Sequence, residues 1–268
     1  MITHERVSVD KADHVATLTL NRPAKHNAFD GLALQEFGHC MDELSQDEDT
    51  RAIIITGAGK SFCAGSDTAY ISEIQADMGK SMERFNFDKP FGPYQVLPSS
   101  LHECPKPTIA AINGFTSGIA MGLIALCDYR IASEQASFTP QFVNFGLAAE
   151  MGISYTLPRV TSLSVALEFL STGEKRDAHW AKECGLVKEV TPPEGLMASA
   201  MKLANQLASM PPVSVENVKR LVYQAIDPGF QAQLQFEARV GTALGQTEDC
   251  REAVIAIMEK RPPVFKGK

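Results

Sequence analysis

Nowhere does the chain run to the ~18 consecutive apolar residues that a transmembrane helix needs. The opening stretch, MITHERVSVDKADHV, lacks the apolar segment of a signal peptide. Positive charge is also scarce: 25 Lys and Arg against 32 Asp and Glu give a formal charge of −7. Nothing global therefore favours nucleic acid or an anionic membrane, and a polyanionic small ligand would need a local basic patch. The six cysteines (Cys40, Cys63, Cys104, Cys127, Cys184 and Cys250) form no CxxC pair, and the six histidines show no ligand spacing. These absences predict reduced thiols, no metal site and a cytoplasmic setting.

Three familiar catalytic signatures are missing as well. TGAGKS (56–61) resembles a phosphate loop, but the glycine required five residues before Gly59 is Ile54. The same stretch fails GxGxxG, because the last position is Phe62. FTSGI (115–119) is no nucleophile elbow, since Phe115 stands where the first glycine belongs.

With 44% apolar and 21% charged residues, the composition is that of a globular α/β protein. VATLTL (15–20) alternates as a strand does. Leu32, Leu34, Phe37, Met41 and Leu44 recur at helical spacing. RAIIITG (51–57) and PTIAAING (107–114) are unbroken apolar runs of strand length, which suit parallel strands buried on both faces. Each leads towards a glycine-containing turn and a helix, the βα rhythm of an α/β core. Short strands are predicted at YRIAS and ASF. From about residue 161 six amphipathic segments predict helices separated by Gly/Pro breaks. This suggests a core over 1–195 and a helical oligomerisation region over 196–268. Residues 77–99, with mixed charge, two glycines and three prolines, predict a long connection or flap. Phe169 and Trp180 fall on helical faces and are expected in the core.

Two turns carry the chemistry. FCAGSDT places a turn at 64–67 and INGFTSGIAM another at 113–120. Small residues let backbone approach a ligand, and the N–H groups that open a helix lack partners. Two such groups aimed at one oxygen would make an oxyanion hole, although the glycines serve equally for tight turning alone. The second candidate is Glu150, the one charged residue in FTPQFVNFGLAAEMGISYTLP. A carboxylate in such company is either paired or moves a proton; a carboxylate favoured by a following helix N-terminus is the alternative.

LNRPAKHNAF, RAIIITGAGKSFCAGSDT, PKPTIAAINGFTSGIAMGLIALCDYRIASEQASF, AKECGLVKEV and RPPVFKGK together resemble the enoyl-CoA hydratase/isomerase (crotonase) superfamily, in order along nearly the whole chain. The resemblance implies a spiral of ββα units, a helical carboxy-terminal trimerisation region and acyl-CoA thioester substrates. The coenzyme is then part of the substrate, no separate cofactor is needed, and the protein assembles as a homotrimer or hexamer. By position, the enolate-holding N–H groups are those of Ser66 and Ile119. Contacts to CoA are implied for Lys25, His26, Ala64, Ser66, Asp67, Thr68 and Lys266, with Lys268 beside it; Asp67 alternatively caps the following helix.

The departures from the family pattern are informative. Hydratases of the family resemble one another in a glutamate three residues after the second oxyanion position and another twenty residues further on. Here those positions are Gly122 and Phe142. The segment holding Glu150 instead resembles the Δ3,Δ2-enoyl-CoA isomerase branch, whose motif glutamate is the acid/base. This implies that Glu150, in an apolar pocket, shuttles a proton from C2 to C4 of the acyl group. A hydratase or broad hydratase/isomerase, and a non-catalytic acyl-CoA-binding protein, are the other readings.

Overall fold

The structure is a computed structural model, and it describes residues 2–73, 96–225 and 229–268. The expected flap over 77–99 lies mostly outside these residues.

Two sheets build the frame. The larger follows the order β1 (Ile2–Thr3), β2 (Val7–Ala12), β3 (Val15–Leu20), β4 (Ala52–Gly57), β6 (Thr108–Ile112), β8 (Tyr129–Ser133), β11 (Glu189–Thr191). From β3 onwards its strands pair in parallel. β1, β2 and β3 pair antiparallel, and the β2–β3 hairpin turns on Asp13 and His14, both at positive φ, as a two-residue type I′ connection requires. The smaller sheet has the order β10 (Arg176–Asp177), β9 (Ser137–Thr139), β7 (Phe115–Ser117), β5 (Ser61–Cys63). Its strands β5, β7 and β9 run parallel, so their carboxyl ends emerge at one edge.

The unbroken apolar runs have a direct cause. In β4, Ile53 and Ile55 face one core while Ala52 and Ile54 face another, so no position meets solvent. The first core is closed by α1 (Gly31–Gln46), α2 (Val96–His102), α3 (Ile119–Leu126), α4 (Ile153–Val160), α5 (Leu163–Thr172) and α6 (Ala178–Glu183). α1 starts where Asp30 accepts the Ala33 N–H at 2.8 Å and buries Leu34, Phe37, Met41 and Leu44. Leu32, two residues out of phase with that stripe, is exposed. Phe169 is fully buried with its ring centre 4.9 Å from that of Trp180, as expected.

The second core lies under α7 (Leu196–Ala208), whose Leu196, Ala200, Ala204 and Ala208 form one small-residue stripe at helical spacing. α7 thus covers the second face of the main sheet. Beyond it follow α8 (Pro212–Gln224), α9 (Phe230–Leu244) and α10 (Glu248–Glu259). α8 is tied to the core through a cluster of charges. Lys219 Nζ lies 2.8 Å from Asp128 Oδ2, and Tyr223 donates to Asp128 Oδ1 at 2.9 Å. No helix among the described residues is long and apolar enough to cross a membrane.

Candidate active site

The site forms at the carboxyl ends of β5 and β7, where open α/β sheets bind ligands. After β5 the chain makes one parallel bridge, between Phe29 and Ser66. In it Phe29 N–H donates to the Gly65 carbonyl at 2.7 Å, and Asp67 N–H donates to the Phe29 carbonyl at 2.8 Å. Both bonds use the neighbours of Ser66, so the Ser66 N–H points away from Phe29 and has no partner among the described residues. After β7, Gly118 N–H is taken by the Thr139 carbonyl at 3.1 Å. The next N–H, that of Ile119, opens α3, where no intrahelical acceptor is available, and it has no partner among the described residues.

The two turns touch. Gly65 sits at φ +91, and a Cβ there would lie 2.8 Å from the Ser117 carbonyl oxygen. Gly118, at φ +53, would place a Cβ 3.8 Å from the Gly65 Cα. Only glycine combines these dihedrals with this approach. Ser66 and Ile119 are therefore neighbouring donors at one place, and the Ile119 side chain turns into the core.

LNRPAKHNAF supplies the props. Asn27, buried and at positive φ, donates through Nδ2 to the carbonyls of Ala58, Ser61 and Phe62 at 2.8–3.1 Å. Its Oδ1 accepts the Arg22 N–H at 2.9 Å. His26 binds the Ser61 hydroxyl through Nδ1 at 2.9 Å, and its carbonyl accepts the Ala64 N–H. Lys25, His26 and Thr68 are exposed, Ala64 and Ser66 half-buried. Asp67 caps the helix that follows, accepting the Ala69 N–H at 3.0 Å, and pairs with Arg22 at 3.1 Å. Burial alone would raise its carboxyl, but that N–H and the guanidinium together hold it below the ordinary range. Arg22 and Asn27 went unremarked in the sequence, because the contacts that tie them to the turn, Arg22 to Asp67 and Asn27 to the carbonyls of Ala58, Ser61 and Phe62, join residues far apart along the chain. Cys63 is no nucleophile here: burial pushes its thiol up to about 12.

The two positions that carry carboxylates in hydratases are closed. A Cβ on Gly122 would lie 2.4 Å from the Met151 Cβ and 3.0 Å from the Met151 carbonyl oxygen. Phe142 is buried. The close contact of Gly122 with Met151 draws the Glu150 segment onto α3, one turn beyond Ile119. Met151 and Gly152 both take positive φ, so the chain turns sharply just after Glu150.

Glu150 itself departs from expectation. The sequence places it in an apolar pocket, whereas in the single chain it is exposed, among the exposed Val143, Phe145 and Leu147. The reason is local: the positive-φ turn at 151–152 buries Met151 and leaves its predecessor outward. Nearby protein still desolvates the carboxyl and raises it above its ordinary value, with no cation acting against this. Solvent reaches the group, which limits that rise. Among the described residues it has no hydrogen-bond or ion-pair partner. The helix-start alternative is not realised by a cap: α4 has Gly152 as its N-cap residue and no side-chain acceptor there.

Lys266 stands apart from this group. The tail is pinned at the opposite end of the main sheet, where Lys266 and Gly267 N–H groups donate to the Asp249 carboxylate and the Phe265 carbonyl accepts from Arg51. Arg51 immediately precedes β4, whereas the candidate turns lie beyond its far end, so one strand length of roughly 20 Å separates them. Within one chain Lys266 does not join Lys25 and His26. A cleft of about 420 Å³ opens beside the tail, but Arg51 in its wall already donates to Ala208 and Phe265, and no candidate residue other than those of the tail lies near it. Among the described residues no group of three or more His, Cys, Asp or Glu gathers as metal ligands.

A mixed α/β frame with two backbone donors after neighbouring parallel strands defines the class: an α/β spiral of the crotonase type. A family model described as enoyl-CoA hydratase/isomerase matches residues 10–268, and the chain belongs to that family. It is 33% identical over 258 residues to 1,2-epoxyphenylacetyl-CoA isomerase of Escherichia coli, covering 95% of each chain. It is 34% identical to the mitochondrial Delta(3,5)-Delta(2,4)-dienoyl-CoA isomerase of Rattus norvegicus, over 96% of this chain and 81% of that one. Among solved structures, enoyl-CoA hydratase from Bacillus anthracis superimposes with a TM-score of 0.89 at 30% identity, covering 98% of this chain and 100% of that one.

Proposed function

We propose that the protein is an acyl-CoA isomerase that shifts a C=C bond from Δ3 to Δ2, with Ser66 and Ile119 N–H groups holding the thioester oxygen and Glu150 carrying the proton. The observation that supports this best is the contact of Met151 with Gly122. It fills one hydratase position and brings a lone, desolvated carboxylate beside α3. Removing a C2 proton yields a dienolate whose charge rests on the oxygen between the two N–H groups. The same carboxyl then returns the proton at C4, so one acid/base group suffices. Water addition needs a second group to activate water, and Gly122 and Phe142 supply none.

A hydratase is the second reading, favoured by the solvent access of Glu150 and by 32% identity to a short-chain-enoyl-CoA hydratase of Clostridium acetobutylicum. Parallel assays decide: the isomerase reading expects rapid conversion of a 3-enoyl-CoA and little hydration of crotonyl-CoA. The reverse preference would overturn it.

Assembly as a homotrimer or a dimer of trimers belongs to the same reading. Ile257 and Met258 on α10 are both 78% exposed, and Leu163 and Leu167 on α5 are exposed too, more apolar surface than a monomer ordinarily shows. Sedimentation at micromolar concentration is expected to give a trimer or larger species; a stable monomer would refute it.

A further inference from the structure

Arg22 grips both sides of the Phe29–Ser66 bridge. Its Nη1 donates to the Ala28 carbonyl at 2.5 Å, and its Nη2 lies 3.2 Å from Asp30 Oδ2 and 3.1 Å from Asp67 Oδ2. Ala28 and Asp30 are the two neighbours of Phe29, and Asp67 directly follows Ser66. The arginine is only 15% exposed and Asp67 12%, so the contact is largely withdrawn from water. Each partner is anchored a second time. Asp30 caps α1 and pairs with Arg6 Nε at 3.1 Å, while Asp67 caps the helix after the turn. The bridge itself consists of one residue pair, so it cannot hold its own twist as a full ladder does.

We infer that Arg22 is a positioning residue for catalysis, fixing the direction of the Ser66 N–H by clamping the two segments that the bridge joins. This rests on Ser66 being an oxyanion donor. A guanidinium is needed because a planar fork spans a carbonyl and two carboxylates at once, whereas a lysine ammonium offers a point charge on a flexible stem. Ser66 contributes through its main chain alone, so a side-chain change that keeps its N–H cannot test where that N–H points. Arg22 and Asp67 can.

The test compares Arg22→Lys, Asp67→Asn and the double variant on two readouts. Asp67→Asn keeps the Oδ1 that caps the helix and removes the charge. The first readout is turnover of a 3-enoyl-CoA. The second is the absorbance shift of a bound 2,4-dienoyl-CoA, whose chromophore extends into the thioester carbonyl and reports its polarisation whether or not the protein turns it over. Each single variant is expected to lose kcat on the order of 10–10²-fold with KM changed much less, the scale for a misplaced group near the chemistry. The absorbance shift should shrink in parallel. The double variant should lose little more than either single one, because the pair acts as a unit. If Arg22→Lys does not fold, Asp67→Asn carries the test alone. A folded variant with the wild-type absorbance shift and kcat overturns the inference, as does a rise in KM alone. A reduced absorbance shift in variants of a protein whose wild type does not isomerise 3-enoyl-CoA would sustain the role of Arg22 while refuting the isomerase reading.

Discussion

The two halves of the candidate site are held in opposite ways. The turn at 63–67 is wired from every side, by the Phe29 bridge, the Asn27 amide, the His26 backbone and the Arg22–Asp67 pair. The segment 141–152 is mostly exposed. It is punctuated by positive-φ residues at Gln141, Gly146, Met151 and Gly152, and its one carboxylate is unpaired among the described residues. On the proposed reading, the contrast suits two jobs. A donor that stabilises charge must already point at its oxygen before the reaction, so reorganisation is excluded by rigidity. A base that collects a proton at one carbon and delivers it to another two bonds away must move, and a fully clamped carboxylate could not.

Exchanging the base should produce the largest effect. Glu150→Gln preserves shape but cannot accept a proton, so isomerisation is expected to fall roughly 10²–10⁴-fold with acyl-CoA affinity little changed. Steady-state kinetics beside direct binding of a substrate analogue reads both. Near-wild-type turnover by a folded variant would leave the loose half of the site without a catalytic role.

Next comes the rigid half. Ser66→Ala should retain most activity, because the donor is the main chain. Ser66→Pro removes that N–H while leaving both bonds of the Phe29 bridge intact, since these use Gly65 and Asp67. A loss of roughly 10²–10³-fold in turnover is expected. Equal activity of the alanine and proline variants would mean that Ser66 N–H faces no substrate oxygen.

Much of this was readable in advance. The apolar runs at 52–57 and 108–112 identify strands buried on both faces, and the glycines of the two turns stand where backbones touch. The N-terminal strand VSVDKA escaped, because only Val7 and Val9 face the core and charged residues follow them. Met151 against Gly122 was unreadable, since a missing side chain in one helix announces nothing about what fills its place from 29 residues away. The exposure of Glu150 escaped for a related reason: apolar neighbours in sequence suggest a pocket, yet Val143, Phe145 and Leu147 are exposed as it is.

The contact joining the two halves offers a smaller effect, in stability. Gly122→Ala would force its methyl to within 2.4 Å of the Met151 Cβ, with that residue's carbonyl 3.0 Å away. Overpacking of this kind costs about 1–3 kcal/mol. Since backbone must give way, Glu150 should shift with it, and kcat should fall beyond what the melting temperature alone explains. Thermal denaturation alongside kinetics checks this. An alanine variant as stable and active as the parent would show that the 150–151 turn yields freely, and the link between α3 and the base would be lost.

The smallest expected effect is the dependence of stability on pH. The Glu150 carboxyl lies above its ordinary value of 4.5 in the folded chain, with desolvation the only cause. The folded state therefore binds this proton more tightly than the unfolded chain does. Between the ordinary value and the raised one the folded state carries more of the proton, so stability falls as pH rises across that window and levels off above it. Glutamine in its place has no such term. The difference in denaturation midpoint between Glu150→Gln and the parent should consequently be small at pH 4, grow in favour of glutamine as pH rises, and plateau towards neutrality. Because solvent reaches the group in the single chain, the gain should be modest; if assembly covers the segment, it should be larger in the oligomer than in dilute monomer. A midpoint difference that stays flat from pH 4 to pH 7 would mean the carboxyl is solvated as in the unfolded chain, and that the loose half of the site holds an ordinary surface glutamate.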